Sequence, residues 1–90
     1  GIQRAIQDYD KAIQLDPNDD IAYHNRGWSY QTLGQYQRAI DDYDKAIELD
    51  PNYAKSYLNR GLSYQSLGMT EEAERDREKA KSLEDEAKQD

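Results

Sequence analysis

Apolar side chains recur along this chain at the three- and four-residue steps of an α-helix. The first segment shows such a face at Ile2, Ala5, Ile6, Tyr9, Ala12 and Ile13. No segment alternates apolar and polar residues with the two-residue period of a strand. The pattern therefore predicts an all-α chain of five helices, at about residues 2–15, 19–33, 36–49, 53–67 and 70–88.

Proline and glycine separate these segments. Asp16-Pro17-Asn18 and Asp50-Pro51-Asn52 are predicted turns, because proline cannot continue a helix. We expect the asparagine of each turn to cap the helix that follows. Gly34 and Gly68 each follow a leucine and suit the left-handed position at which helices commonly end.

The chain also repeats itself every 34 residues, since residues 1–34 and 35–68 are identical at 23 of 34 positions. A fixed period of this length indicates one helix–turn–helix unit stacked on copies of itself. Such a unit cannot bury its apolar face alone, so its neighbours complete the core. The period thus predicts an architecture of stacked repeat units and a binding function.

The third copy of the repeat degrades after Gly68. Its charged residues Glu74, Arg77 and Lys81 stand where Ile40, Tyr43 and Ile47 stood one period earlier. A terminal repeat needs a polar outer face, so the fifth helix is predicted to cap the array. We expect the hydroxyl of Thr70 to cap this helix, with acids behind it at the positive end of the helix dipole.

The landmark residues of the repeat recur in both full units. In residues 20–53 they are Tyr23, Gly27, Tyr30, Leu33, Gly34, Tyr36, Ala39, Tyr43, Ala46 and Pro51. In residues 54–87 they are Tyr57, Gly61, Tyr64, Leu67, Gly68, Ala73 and Ala80. This second unit departs from the pattern at Thr70, Arg77 and Asp85. This period and these landmarks resemble the tetratricopeptide repeat family.

The resemblance implies a single domain over residues 1–90, an α-solenoid whose antiparallel helix pairs stack in a right-handed superhelix. Residues 1–19 match the second helix and turn of a preceding unit, 20–53 a full unit, and 54–87 a full unit that ends in the capping helix. The first helices of successive units would line a concave groove. The implied function is a scaffold that binds a peptide or helix of a partner protein in this groove.

Ten residues are expected to face the groove: Ile21, His24, Asn25, Trp28, Gln31, Lys55, Leu58, Asn59, Leu62 and Gln65. Trp28 is the sharpest candidate, as an apolar anchor beside Leu58 and Leu62. The alternative is that Trp28 packs inside the array as core. The asparagines and glutamines of the set are expected to bond the backbone of the bound peptide.

Some members of the family hold acidic chaperone tails with a clamp of Lys, Asn and Arg. This chain has Asn25, Asn59 and Lys55 at matching positions, but too few cations converge for such a clamp. Arg26 and Arg60 are better interpreted as structural, because each repeats with the framework near an acidic helix. We expect ion pairs whose aliphatic stems pack on tyrosine.

The N-terminal helix matches a second helix without its first. Its stripe of Ile2, Ile6, Tyr9 and Ile13 would then be uncovered, which favours self-association or helix swapping between chains. A homodimer or larger self-assembly through this stripe is therefore the alternative function. Gly1 falls in mid-pattern without an initiator Met, so we expect the chain to be part of a longer one, with any targeting signal outside it.

Composition narrows the remaining function classes. The net charge of −7 argues against a nucleic-acid partner. No apolar run approaches the roughly 18 residues that a membrane span needs, so membrane insertion is not expected. The absence of cysteine excludes disulfides and a thiol nucleophile, and fits a cytoplasmic protein. His24 and Asp20 alone do not make a metal site. We therefore predict neither enzymatic activity nor a cofactor.

Overall fold

The computed structural model of the protein describes residues 1–89; Asp90, the last residue of the predicted domain, lies outside them. Five α-helices follow one another: α1 (Ile2–Leu15), α2 (Asp20–Thr32), α3 (Tyr36–Leu49), α4 (Ala54–Ser66) and α5 (Thr70–Lys88). Residues 1–89 contain no strand. The predicted all-α class is confirmed, with every helix boundary within a residue of its expected place.

The glycine at the end of each first helix has the expected conformation. Gly34 and Gly68 both have φ of 78°, and they are the residues with positive φ in the described chain. After Gly34 the backbone N–H of Gln35 donates to the carbonyl of Tyr30 at 2.9 Å, and Met69 repeats this bond to Tyr64. These bonds satisfy carbonyls that the helix itself leaves unpaired.

The predicted side-chain caps were wrong in detail. Asparagine does not cap α2 or α4; instead the carboxylate of Asp16 accepts from the backbone N–H of Asn18 at 3.0 Å, and Asp50 repeats this bond to Asn52. The cap of α2 is Asp19, which accepts from the N–H of Ala22 at 3.1 Å. Thr70 is the first residue of α5 and makes no capping bond. The aspartate two residues before each asparagine closes the turn. The asparagine therefore lies one residue before the N-cap position of the next helix.

The five helices form a stack in which each packs against the next. α2 and α3 form one helix pair, α4 and α5 the next, and α1 packs on α2. α2 also contacts α4 directly, whereas among residues 1–89 no such packing joins α1 to α3 or α3 to α5. The first helices α2 and α4 are therefore more closely spaced than the second helices, which makes their side the inner, concave side of the stack.

Close approach of helices within a pair depends on glycine. A Cβ added at Gly27 would lie 3.0 Å from the ring of Tyr43 and 3.2 Å from the carbonyl oxygen of Ala39. Gly61 approaches the carbonyl of Ala73 in the same way. These contacts bury Tyr43 completely, so the ring fills the space between α2 and α3.

The two ends of the stack differ from its middle. α1 has no buried residue, although its apolar face has nearly the same sequence as that of α3. At the other end, Glu74, Arg77 and Lys81 are exposed on α5, at the positions predicted to face outward. Tyr57, Ala80 and Leu83 form the buried cluster that holds α5 to α4.

No helix within residues 1–89 combines the length and the apolar character that crossing a bilayer would need.

Candidate functional site

Large apolar side chains are exposed on the inner helices α2 and α4. Trp28 is 52% exposed and Leu62, one period later, is 44% exposed. Ile21 and Leu58 are also exposed. Trp28 therefore lies on the surface and is not part of the core. Water-facing apolar residues on both inner helices form the candidate site, which we call the inner apolar surface: Ile21, Trp28, Leu58 and Leu62.

His24 was expected to face this groove, and the structure corrects that prediction. The residue is only 7% exposed. Its Nδ1 lies 2.9 Å from the hydroxyl oxygen of Ser56 on α4, and its ring packs against Tyr43 and Tyr53. Burial, followed by the nearby charge of Lys55, lowers the pKa of His24. His24 is thus a neutral residue that joins α2 to α4.

Gln31 and Gln65 were expected to bond a peptide, but their carbonyl oxygens already have partners in the domain. The hydroxyl of Tyr43 donates to Gln31 Oε1 at 2.7 Å. One period later Arg77 replaces the tyrosine, and its guanidinium donates to Gln65 Oε1 at 2.7 Å. A glutamine oxygen on the first helix of each pair therefore accepts a hydrogen bond from the second helix. The donor is a tyrosine in one pair and an arginine in the next.

The remaining polar residues of the predicted groove differ in exposure. Asn25 and Asn59 are half-buried, and Lys55 is exposed. Lys55 is the cation of the predicted set, because His24 is held neutral. The predicted groove therefore combines apolar side chains and neutral amides with one cation, Lys55.

Arg26 links three helices. Its Nε and Nη2 donate to both carboxylate oxygens of Asp42 on α3, at 2.8 and 2.7 Å. Its Nη1 donates to Asp10 on α1 at 2.9 Å. The hydrogen bond to Asp42 is the largest of the effects that raise the pKa of Arg26. Tyr23 and Tyr30 flank the guanidinium, with ring centroids 5.7 and 6.0 Å from its central carbon.

Arg60 repeats this arrangement one period later. It donates twice to Asp76 on α5, at 2.9 and 2.8 Å, and once to Asp44 on α3 at 2.9 Å. The predicted structural role of both arginines is confirmed. The individual partners were missed, although the sequence carries a signal for them: each arginine has an aspartate 16 residues before it and another 16 residues after it.

The described residues hold no group of three or more side chains that could ligate a metal ion. The single histidine is also engaged with Ser56.

Three tetratricopeptide repeat models match the chain, over residues 2–34, 21–53 and 42–75. The chain belongs to the tetratricopeptide repeat family. In this structure the repeat consists of a pair of helices. A glycine lies where the two helices cross, and a left-handed glycine ends the first helix. The architecture is accordingly an α-solenoid, in which stacked repeats build a surface for protein interactions.

Solved tetratricopeptide structures resemble at least 91% of this chain. The crystal structure of MamA is 30% identical, with a TM-score of 0.94 over 99% of this chain and 52% of MamA. The second repeat domain of Spaghetti (RPAP3), bound to the HSP90 peptide SRMEEVD, is 33% identical with a TM-score of 0.89, over 91% of this chain and 76% of that one. The Arabidopsis OM64 repeat domain is 33% identical with a TM-score of 0.91, over 94% and 70%.

This repeat domain thus spans about half the length of the MamA chain that it matches. No curated protein matches the sequence.

Proposed function

We propose that the domain is a protein-interaction scaffold whose inner apolar surface binds a peptide or helix of a partner protein. The observation that carries this proposal is the exposure of Trp28 and Leu62 at equivalent positions of two adjacent inner helices. The surrounding framework is packed and hydrogen-bonded. A rigid scaffold that presents large exposed apolar side chains on its concave side is suited to peptide recognition.

In this proposal, Trp28, Leu58 and Leu62 are the anchors. Burying one such side chain contributes about 1.5–3 kcal/mol. The half-buried Asn25 and Asn59 are placed to bond the ligand backbone. A ligand would meet Gln31 and Gln65 at their amide nitrogens, because the carbonyl oxygens are taken by Tyr43 and Arg77.

Charge indicates the class of ligand. The Spaghetti domain binds a peptide with three carboxylate side chains, SRMEEVD. The inner face here offers Lys55 as its cation, beside a histidine that burial keeps neutral. An acidic tail would therefore lack paired charges, and desolvating its carboxylates would oppose binding. The ligand that suits this surface is an apolar, weakly charged segment.

The test compares affinity capture by the unmodified domain with capture by the Trp28→Glu/Leu62→Glu variant. Leu15→Glu/Met69→Glu is the matched control, because both side chains are exposed and lie outside the predicted groove. Partner affinity should fall by roughly 100-fold or more in the first variant and stay unchanged in the control. Equal loss in both variants, or in neither, would remove the inner apolar surface as the site. Circular dichroism of all three proteins excludes unfolding as the cause.

Self-association through α1 is the second candidate function. It is supported by Ile2, Ile6, Tyr9 and Ile13, none of which is buried in the single chain. Apolar side chains left partly open in this way favour contact with another molecule. Sedimentation equilibrium over a wide concentration range tests this function, since a mass that stays monomeric at the highest concentration excludes it.

A further inference from the structure

A buried histidine joins the inner helices α2 and α4 on the concave side of the stack. Nδ1 of His24 lies 2.9 Å from the hydroxyl oxygen of Ser56, which is completely buried. Within residues 1–89 this is the side-chain hydrogen bond that connects α2 to α4. His24 also lies one helical turn before Trp28, so the bond is next to the inner apolar surface.

The outer side of the same pair of helices is held by different contacts. α3 packs on both α2 and α4. Arg26 pairs with Asp42 and Arg60 pairs with Asp44, so each inner helix has an ion pair to α3. Histidine is the side chain whose ordinary charge change falls between pH 5 and 8, and His24 is the one histidine of the chain. A fall in pH through this range therefore acts on the inner contact through His24.

The groups around His24 favour its neutral form. Its ring packs against Tyr43 of α3 and against Tyr53, which directly precedes α4. Burial and then the charge of Lys55 on α4 lower the pKa of His24, although Asp20 stands one turn earlier on α2. Burial also raises the pKa of Tyr43, so this phenol stays neutral and offers no negative charge to a protonated His24. The closed contact therefore opposes protonation.

We propose that protonation of His24 separates α2 from α4 on the concave side, with α3 as the hinge, and thereby changes the spacing of Trp28 and Leu62. A charged imidazole gains hydration when this side opens, whereas a neutral one is better satisfied by Ser56 and the two aromatic rings. The opening depends only on contacts within the domain. Its effect on a ligand rests on the proposed function, in which Trp28 and Leu62 are anchors. The inner apolar surface would then bind its peptide more weakly at mildly acidic pH.

Proton linkage gives the size of the expected change. In the open form His24 is in contact with water and has its ordinary pKa of about 6.5, whereas in the closed form the pKa is lower. The open form therefore binds more protons as pH falls below about 6.5. The ratio of open to closed form should rise by up to about tenfold for each pH unit in this range. The rise ends at the pKa of the closed form, below which both forms are protonated.

The test uses the single tryptophan of the chain and its lack of cysteine. A nitroxide attached to the Leu62→Cys variant quenches the emission of Trp28 when the two groups are close. The emission of the labelled variant, divided by that of the unlabelled variant, reports their spacing and cancels direct quenching by a protonated His24. This ratio is measured from pH 8 to 5 without any ligand. We expect it to rise over the pH range in which the nuclear magnetic resonance signal of His24 reports protonation, while circular dichroism shows unchanged helicity.

Two control variants remove the titrating group. His24→Asn keeps a hydrogen-bonding side chain that does not become charged, and His24→Leu/Ser56→Ala carries the residue types of the equivalent positions 58 and 22. Both should lose the pH response of the emission ratio.

Four results would overturn the proposal. His24 becomes protonated with no change in the quenching of Trp28, or it stays neutral down to pH 5. The control variants keep the response, or the spacing changes only together with a loss of helicity. None of these results bears on the proposed function, which the capture experiment with Trp28→Glu/Leu62→Glu tests separately at neutral pH.

Discussion

At the residue scale, His24 and Trp28 show how one helix face divides between framework and surface. Both differ from their counterparts, Leu58 and Leu62, in the other unit. His24 is buried against Ser56, whereas Trp28 is exposed. Ser56 itself replaces Ala22 of the preceding unit, so the polar pair introduces two coupled differences between the repeats. Variation between copies therefore occurs both at an internal pair and at an exposed position.

His24 predicts a pH-dependent stability. Burial lowers its pKa in the folded domain, so its contribution is fully present above the unfolded value of about 6.5 and is lost as pH falls below it. His24→Leu/Ser56→Ala installs residue types found at the equivalent positions. We expect thermal melts from pH 8 to 5 to show a smaller loss of stability in this double variant. Ser56→Ala alone keeps the histidine, so its stability should depend on pH as in the unmodified domain. The same pH dependence of stability in all three proteins would contradict the role of His24.

Ser63 predicts a stabilising substitution. Its hydroxyl is fully buried and has no hydrogen-bond partner, while the equivalent Ser29 donates to the carbonyl of Asn25 at 3.1 Å. Removing an unsatisfied buried hydroxyl should raise the free energy of unfolding, by about 1 kcal/mol for Ser63→Ala. Ser29→Ala should lower it by about 0.5–1 kcal/mol. Urea denaturation of both variants measures the difference, and two effects of the same sign would refute this account.

At the scale of helices, Arg26 and Arg60 form directional contacts between neighbouring helices, in addition to the non-directional apolar packing. Arg26 connects α2 to α1 and α3, and Arg60 connects α4 to α3 and α5. Each therefore fixes the register both within a helix pair and between neighbouring units. Glycine at the crossing of the pair brings the backbones close enough for these contacts. The repeated Arg-Gly pair thus combines close helix packing at the glycine with hydrogen-bonded ion pairs at the arginine.

The equivalent aspartates of α1 and α3 allow a controlled test of the contact between Arg26 and Asp42. Asp42→Asn removes the charge that pairs with Arg26 in a partly buried site, so it should lower the free energy of unfolding by about 2–3 kcal/mol. Asp8→Asn, at the same repeat position but exposed, should change it by less than about 0.5 kcal/mol. Chemical denaturation gives both values. A change in the free energy of unfolding for Asp42→Asn as small as that for Asp8→Asn would mean that the arginine contact adds no stability.

At the scale of the molecule, a stack of helices with neighbour-only contacts distributes its stability unevenly. α3 is covered on two sides and has five buried residues, whereas α1 has none. Repeat proteins open locally from their less covered ends, because each unit is stabilised chiefly by its neighbours. The stack therefore has its most buried helix in the middle and its least buried helix at the α1 end.

Hydrogen exchange should reveal this gradient directly. Although α1 and α3 have nearly the same apolar sequence, we expect the amides of α1 to exchange at least roughly tenfold faster than those of α3. The reason is burial, since intrinsic helix propensity differs little between the two segments. Exchange measured by mass spectrometry with peptide resolution checks the prediction. Equal protection in a protein confirmed to be monomeric would contradict it.

Much of the fold was predictable because the repeat presents each local signal twice. Apolar spacing located all five helices, and Gly34 and Gly68 located two of their ends. The exposed Trp28 and Leu62 were also placed correctly on the surface. His24 was assigned to the groove but is buried against Ser56, because the sequence does not reveal which polar side chains find partners inside the stack.

The sequence by itself determined the helices, the 34-residue period and the family, because these depend on local conformational preference and on spacing along one helix. Only the tertiary structure decided that His24 pairs with Ser56, that Arg26 spans Asp10 and Asp42, and that the faces of α1 and α3 differ in burial. Those properties depend on which helix lies against which. Identical side chains therefore acquire different roles when one copy has a neighbour on both sides and the other has a neighbour on one.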